Sequence, residues 1–229
     1  MPAIRIGLKR VLVVDVGGTN LKVFLPGTDH AAVTPSGPRF TPRDMVDEIR
    51  KTVAGCPYDA VSIGVPAVVA KGRIAAEPPN LGPGWLRFDF EKALGRPVRL
   101  INDAAMQALG SYEGGTMLFL GLGTGLGTAL VVDGRIVPLE FSQLPYKRGT
   151  YEDYLGAGGF TRFGPRVWRR HVAAAAATLK EATVADYVVL GGGRAGALAD
   201  LPAGCRRGDN RNALAGGLRL WGRRRRSRE

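Results

Sequence analysis

The stretch that most constrains this chain is 11–22, VLVVDVGGTNLK. Four strand-favouring apolar residues, Val11, Leu12, Val13 and Val14, run towards Asp15, Gly17, Gly18, Thr19, Asn20 and Lys22. The apolar run reads as a buried strand. Gly17 and Gly18 carry no Cβ, so the backbone can turn sharply there and come close to a ligand. Thr19 and Asn20 add side-chain donors, and the N–H groups of such a turn can line an anion-binding concavity. An extended pattern resumes over 21–25, which makes the unit strand–turn–strand. Dinucleotide and P-loop fingerprints need a helix directly after their glycines, so neither fits. A plain hairpin turn accounts for the same residues, because Gly-Gly between apolar runs is a common turn signal.

Downstream, 27–42 is rich in Pro, Gly and polar residues, with one short strand expected at 31–33. Thr41 reads as an N-cap, with Pro42 at the first helical position and Asp44 at the positive helix end. Met45, Val46, Ile49 and Val53 give the helix its apolar stripe. A buried strand is expected at 60–65, a hairpin over 67–76 turning at Lys71-Gly72, and a long loop over 77–85, EPPNLGPGW. A short helix over 88–94 and a strand over 98–101 follow, the latter ending in Asn102-Asp103.

The second half repeats the opening theme. A helix over 104–112 and a strand over 117–121 lead into LGLGTGLGTALVVDG, 120–134, where an apolar strand again enters a Gly-Thr-Gly turn and another leaves it. Two such hairpins, one per half, imply a duplicated domain with two phosphate loops facing each other across a cleft. Helices at 151–155, 165–181 and 212–221, and a strand at 187–190 followed by Gly191-Gly192-Gly193, complete the pattern. The expected division is 1–103, 104–222 and a basic tail, 223–229.

Composition sets the outer bounds. With 229 residues, 45% hydrophobic and 23% charged, the chain suits one large or two small globular domains. No apolar run reaches the ~18 residues of a membrane span, and no signal-peptide core opens the chain, so a cytoplasmic location is expected. Cys56 and Cys205 lack metal spacing and read as free thiols. The net charge is +12 and the pI about 10.3. Much of the excess is Arg223, Arg224, Arg225, Arg226 and Arg228. Such a block reads as a solvated tail or as a contact for a polyanion.

Asp15-Val16-Gly17-Gly18-Thr19, Asn102-Asp103, Gly121-Leu122-Gly123-Thr124-Gly125 and Gly191-Gly192-Gly193, in this order, resemble the ROK (repressor, open reading frame, kinase) family of sugar kinases, which includes bacterial glucokinases. The resemblance runs over 11–220. It implies an α/β fold of two actin-like, ribonuclease H-like ATPase domains and phosphoryl transfer from ATP to a hexose, most simply glucose. A sugar hydroxyl is a poor nucleophile and needs a base within reach of its proton. The resemblance makes Asp103 that base, with Asn102 holding the sugar. By their types alone, Asn102 and Asp103 also read as caps of the helix that follows. Asp15 is matched to an aspartate that positions hydrated Mg²⁺ through water. Gly17, Gly18, Thr19 and Lys22 are matched to one phosphate loop, and Gly123, Thr124 and Gly125 to the other. Gly191, Gly192 and Gly193 are matched to the segment under the adenosine, although a plain strand-to-helix connection accounts for them as well.

For the sugar, the resemblance points to Asn80, with Gly64-Val65-Pro66 as floor, and to Glu140, Gln143 and Glu152. Two departures stand out. Gln143 occupies the place of a family histidine in Glu-x-Gly-His, with Ser142 before it. Thr150 occupies the place of a cysteine in Gly-Cys-x-Glu, and the cysteine cluster that binds structural zinc is missing, so no zinc is expected. The polyphosphate glucokinase branch also lacks that cluster. This absence and the basic excess, with Lys147, Arg148, Arg162, Arg166, Arg169 and Arg170 grouped together, leave polyphosphate open as a second donor. The remaining alternative is a non-catalytic sugar sensor. The expected partner is a small sugar, with a homodimer left open. Neither specific nucleic acid, given only ten residues before the first strand, nor membrane is expected.

Overall fold

The structure is a computed structural model and describes residues 10–209 and 211–222. The basic run from Arg223 lies outside the described residues. The chain divides into two units. One takes the described residues up to Asp103 together with Leu214 onward, and the other is Ala104–Ala213. The second unit therefore ends before residue 222, the expected limit, because the last helix returns to the first unit partway along its length.

The first unit is built on strands β1 (Val11–Val16), β2 (Asn20–Phe24), β3 (Ala31–Pro35), β4 (Ala60–Val65), the small hairpin β5 (Val69–Ala70) and β6 (Arg73–Ile74), and β7 (Val98–Asn102), with helices α1 (Pro42–Thr52) and α2 (Phe90–Leu94). Its main sheet runs β3-β2-β1-β4-β7. β1 pairs antiparallel with β2 and parallel with β4, and β4 parallel with β7. β1 and β4 are buried along their whole length, as strands covered on both faces must be. Thr41 caps α1 in a capping box with Asp44, and Pro42, Met45, Val46 and Ile49 are buried. The hydrogen bonds from Thr41 lower the Asp44 pKa.

The second unit contains α3 (Asp103–Ser111) from its second residue on, β8 (Thr116–Leu122), β9 (Leu126–Val132), β10 (Arg135–Leu139), the hairpin β11 (Pro145–Tyr146) and β12 (Gly149–Thr150), α4 (Tyr151–Leu155), α5 (Ala157–Ala182), β13 (Tyr187–Gly191) and β14 (Cys205–Arg207). Its sheet runs β10-β9-β8-β13-β14, with two antiparallel pairings followed by two parallel ones. Each unit thus carries a sheet of the same topology. The final helix, α6 (Asn212–Arg219), begins in the second unit. Its later part packs on the first, where buried Ser62 Oγ donates to Gly217 O at 2.7 Å and accepts from the Trp221 indole N–H at 2.9 Å.

Three expectations need correction. The strand expected at 31–33 extends to Pro35, because β2 pairs along its whole length. The helix expected at 165–181 begins at Ala157, with a break at Gly164, whose φ is 72° and ψ is 162°. Pro165 starts only the second segment, where its fixed φ suits a first helical turn. The first segment is held by packing: the Phe160 ring meets Trp168 edge-on at 5.2 Å, and the Trp168 indole donates to Leu155 O at 2.9 Å. Third, β14 lies where no strand was expected. No helix among the described residues is long and apolar enough to cross a membrane.

Candidate functional site

In the first unit, parallel pairing brings the candidate residues to one end of the sheet. Asp15 lies opposite Gly64, Gly64 opposite Ile101, and Val65 opposite Asn102. With strands about 4.8 Å apart, Asp15, the Gly64-Val65-Pro66 turn and Asn102-Asp103 share the carboxyl edge of three adjacent strands. Open α/β sheets bind ligands at this edge. Asp103 is the first residue of α3. The Asn102 amide donates to Ala67 O at 3.2 Å, fixing that side chain beside the turn.

The first glycine loop closes through Gly17 N–H to Asn20 O at 2.9 Å, while Ser36 Oγ donates to Gly17 O at 2.6 Å and Ser36 N–H to Thr19 O at 2.9 Å. Asn80 is brought against it: a Cβ on Gly18 would meet Asn80 Cβ at 3.1 Å. Glu77 shapes the loop that carries Asn80, accepting from the N–H groups of Gly84, Trp85 and Leu86. Sequence reasoning gave Glu77 no role. A carboxylate heading a Pro/Gly loop that ends in a buried tryptophan was the available signal.

Asp15 is buried, and its Oδ2 pairs with Lys22 Nζ at 3.1 Å. Antiparallel register sets the two residues directly opposite each other. Lys22, expected at the phosphates, is thus engaged with Asp15. A single buried carboxylate fits Mg²⁺ held through water and donor phosphates, since Mg²⁺ keeps several waters and needs few protein ligands.

In the second unit the glycine loop Gly123-Thr124-Gly125 joins β8 to β9. Glu152, at the head of α4, accepts from Leu126 N–H at 3.0 Å, and a Cβ on Gly125 would collide with the same carboxylate. Only glycine lets the two approach so closely. Glu152, expected at the sugar, therefore supports the second glycine loop. Glu140 stands near Glu152: desolvation, and then the Glu152 charge, raise the Glu140 carboxyl above the usual range. Gln143 is exposed, with its amide 3.4 Å from Ser142 Oγ. Thr150 is the N-cap of α4 in a capping box with Asp153, a role for which its hydroxyl is suited.

The Gly191-Gly192-Gly193 segment follows β13. Gly192 has φ +82°, and a Cβ there would lie 2.6–2.8 Å from Leu122 backbone atoms, so both conformation and space demand glycine. A cavity of about 440 Å³ opens beside it, lined by Gly192, Gly193, Gly196, Arg207, Gly208 and Asp209 among others. Arg207-Gly208-Asp209 were not singled out in the sequence, where no strand was expected at β14.

Of the grouped cations, Lys147 lies over the Tyr146 ring at 5.6 Å, Arg162 over Phe163 at 4.4 Å, and Arg169 donates to Ala197 O at 2.8 Å. Arg148, Arg166 and Arg170 are exposed. The candidate residues thus form two clusters. Asp15, Gly17, Gly18, Thr19, Lys22, Asn80, Asn102 and Asp103 lie in the first unit. Gly123, Thr124, Gly125, Glu140, Gln143, Glu152 and Gly191–Gly193 lie in the second.

Comparisons with known proteins agree on a family pattern. The ROK family model matches residues 11–138, more than half of the chain. N-acetylmannosamine kinase of Escherichia coli O157:H7 is 30% identical over 142 residues, 55% of this chain and 48% of that protein. The chain spans about half the length of the curated relatives it matches. Among solved structures, the inorganic polyphosphate/ATP-glucomannokinase of Arthrobacter sp. strain KM superposes with a TM-score of 0.79 at 22% identity, covering 93% of this chain and 98% of that one. A ROK family glucokinase of Streptomyces griseus, in complex with glucose and AMPPNP, gives 0.72 at 18% identity, covering 92% and 98%. At these identities the structural likeness is one of fold.

Proposed function

Because the chain belongs to the ROK family, we propose that it is a sugar kinase transferring the terminal phosphoryl group of ATP to a hexose hydroxyl, with glucose the first candidate. The observation that carries this reading is the common strand edge bearing Asp15, the Gly64-Val65-Pro66 turn and Asn102-Asp103.

Asp103 accepts the proton of the attacking hydroxyl as its oxygen bonds to phosphorus and the bond to the departing ADP oxygen breaks. Asn102, Asn80, Glu140, Gln143 and Glu152 bind the sugar hydroxyls. A wrong sugar leaves some of these polar groups unpaired, which is the physical basis of selection. Gly17, Gly18 and Thr19, and Gly123, Thr124 and Gly125, turn N–H groups and hydroxyls towards the donor phosphates. Gly191–Gly193 lie under the adenosine. Asp15 would help hold Mg²⁺, and the ion would offset phosphate charge there. Lys22 offsets the Asp15 charge. Thr150, where the family pattern has cysteine, serves as the N-cap of α4.

The exposed Arg148, Arg166 and Arg170 favour polyphosphate as a second donor, through long-range attraction that salt screens. Gln143 in place of histidine favours the other alternative, a sugar sensor without turnover. One experiment separates these readings: a coupled phosphorylation assay of a hexose panel, with ATP and polyphosphate side by side at low and high salt. The kinase reading expects sugar phosphate from ATP. Polyphosphate use expects a KM that rises steeply with salt. Hexose binding with no product from either donor establishes the sensor.

A further inference from the structure

We propose that Arg194, directly after the triple glycine, is a positioning residue that fixes the second glycine loop in its donor-binding conformation. This rests on the kinase reading above, in which that loop holds the phosphoryl donor.

The argument starts from peptide geometry. The described peptides are trans, so each carbonyl points opposite to the N–H of the next residue. In the second loop the carbonyls are held one by one. Arg194 Nη1 donates to Gly123 O at 2.9 Å. Ala157 N–H donates to Thr124 O at 3.0 Å, and Gly123 N–H to Gly125 O at 3.1 Å. The N–H of Thr124 therefore points away from Arg194, and the N–H of Gly125 away from the start of α5. Successive N–H groups arranged this way suit an anion.

Gly123 and Gly125 put few steric restraints of their own on this backbone, so the loop's conformation rests on these contacts. A rotation of the Gly123–Thr124 peptide about the Gly123 Cα–C bond would turn the Thr124 N–H away from the donor phosphate. Arg194 opposes that rotation with a charge-assisted hydrogen bond, about twice as strong as a neutral one. The arginine is itself fixed. Its own N–H donates to Leu122 O at 2.9 Å, and its guanidinium lies 5.7 Å from the Phe160 ring centre. It is partly buried, and its positive charge adds to the loop's attraction for an anion. One residue thus couples the segment assigned to adenosine with the loop assigned to phosphate.

The test compares the wild type with R194M, which keeps length but removes donor and charge, and with R194K, which restores a cation without the planar fork. Affinities for ATP and glucose are measured separately by calorimetry, with steady-state KM values for both and thermal melts. R194M is expected to weaken ATP binding about tenfold, the scale of one lost hydrogen bond to a charged group. Glucose affinity should stay within about twofold, since the wild-type sugar groups are untouched. R194K should recover part of the ATP affinity. Unchanged ATP affinity in folded R194M overturns the proposal. So does an equal loss of ATP and glucose affinity without recovery in R194K, which marks general structural support. Should R194M not fold, R194Q keeps an N–H donor without charge: weaker ATP binding with normal glucose binding supports the proposal, and no change overturns it. Wild-type protein that binds ATP but phosphorylates no hexose overturns the kinase reading and leaves the ATP affinities to decide Arg194. Wild-type protein that binds no ATP overturns the role of Arg194 itself.

Discussion

In the first glycine loop a neutral serine from the end of the third strand holds two carbonyls, with Ser36 Oγ on Gly17 O at 2.6 Å and Ser36 N–H on Thr19 O at 2.9 Å. In the second, charged side chains from distant elements do the equivalent work: Arg194 holds Gly123 O from 71 residues away and Glu152 holds Leu126 N–H from 26 away. The surrounding charges differ too. Asp15 near the first loop is paired with Lys22, whereas Glu140 near the second faces another carboxylate, Glu152. Sheets of one topology have thus arrived at glycine loops of similar sequence with unlike supports. The first loop is held by its own hairpin neighbourhood. The second depends on α4, α5 and the turn after β13 being in place.

The largest expected effect separates chemistry from both loops. D103N keeps shape but removes basicity, so turnover should fall by ~10² or more. Calorimetry should find donor affinity unchanged; a parallel loss of donor affinity would mean Asp103 also serves phosphate binding. Next, G125V must displace the Glu152 carboxylate. Donor affinity should drop at least about tenfold, the scale of an overpacked contact, and sugar affinity should fall with it through Glu152. A folded G125V that loses only donor affinity would remove Glu152 from the sugar site.

A smaller effect is expected from S36A, which removes one neutral hydrogen bond worth about 1 kcal/mol, or roughly fivefold in affinity. Its loss of ATP affinity should stay below that of R194M; a reversed order would break the contrast between neutral and charged anchors. The smallest effect concerns stability. Because the Glu140 pKa is raised in the folded protein, the unfolded state ionises first as pH rises. The favourable contribution of its protonated form is full below the ordinary glutamate value of about 4.3. That contribution is lost as pH rises through the higher folded value. E140Q should therefore melt above the wild type at neutral pH, with the difference shrinking towards pH 4. Melting curves that stay parallel across this range would remove the carboxylate pair as a cost.

Local pattern made much of this legible. The all-apolar runs of β1 and β4 required covered strands, and the Thr41-Pro42-Asp44 signature located α1 because its cap is formed within four residues. Gly17-Gly18 and Gly123-Thr124-Gly125 could be read as turns because glycine's freedom is a property of the residue itself. The facing of Asp15 and Lys22 was within reach too, since a tight hairpin fixes its own register. Ser62 inside an otherwise apolar strand signalled a buried partner but not which one.

What the sequence determined by itself is the set of short-range choices: strands, turns, caps, and the residue types able to hold phosphate and take a proton. Tertiary structure alone decided the rest. It gave the later part of α6 to the first unit through Gly217 and Ser62, and made a helix of 157–163 against Trp168. It turned Cys205–Arg207 into an edge strand and put Arg194 and Glu152 on the second loop. The physical reason is separation along the chain. A capping box or hairpin turn satisfies its own backbone groups within a few residues, so its signal is written locally. A carbonyl held from 71 residues away acquires its partner only when the intervening strands and helices have packed.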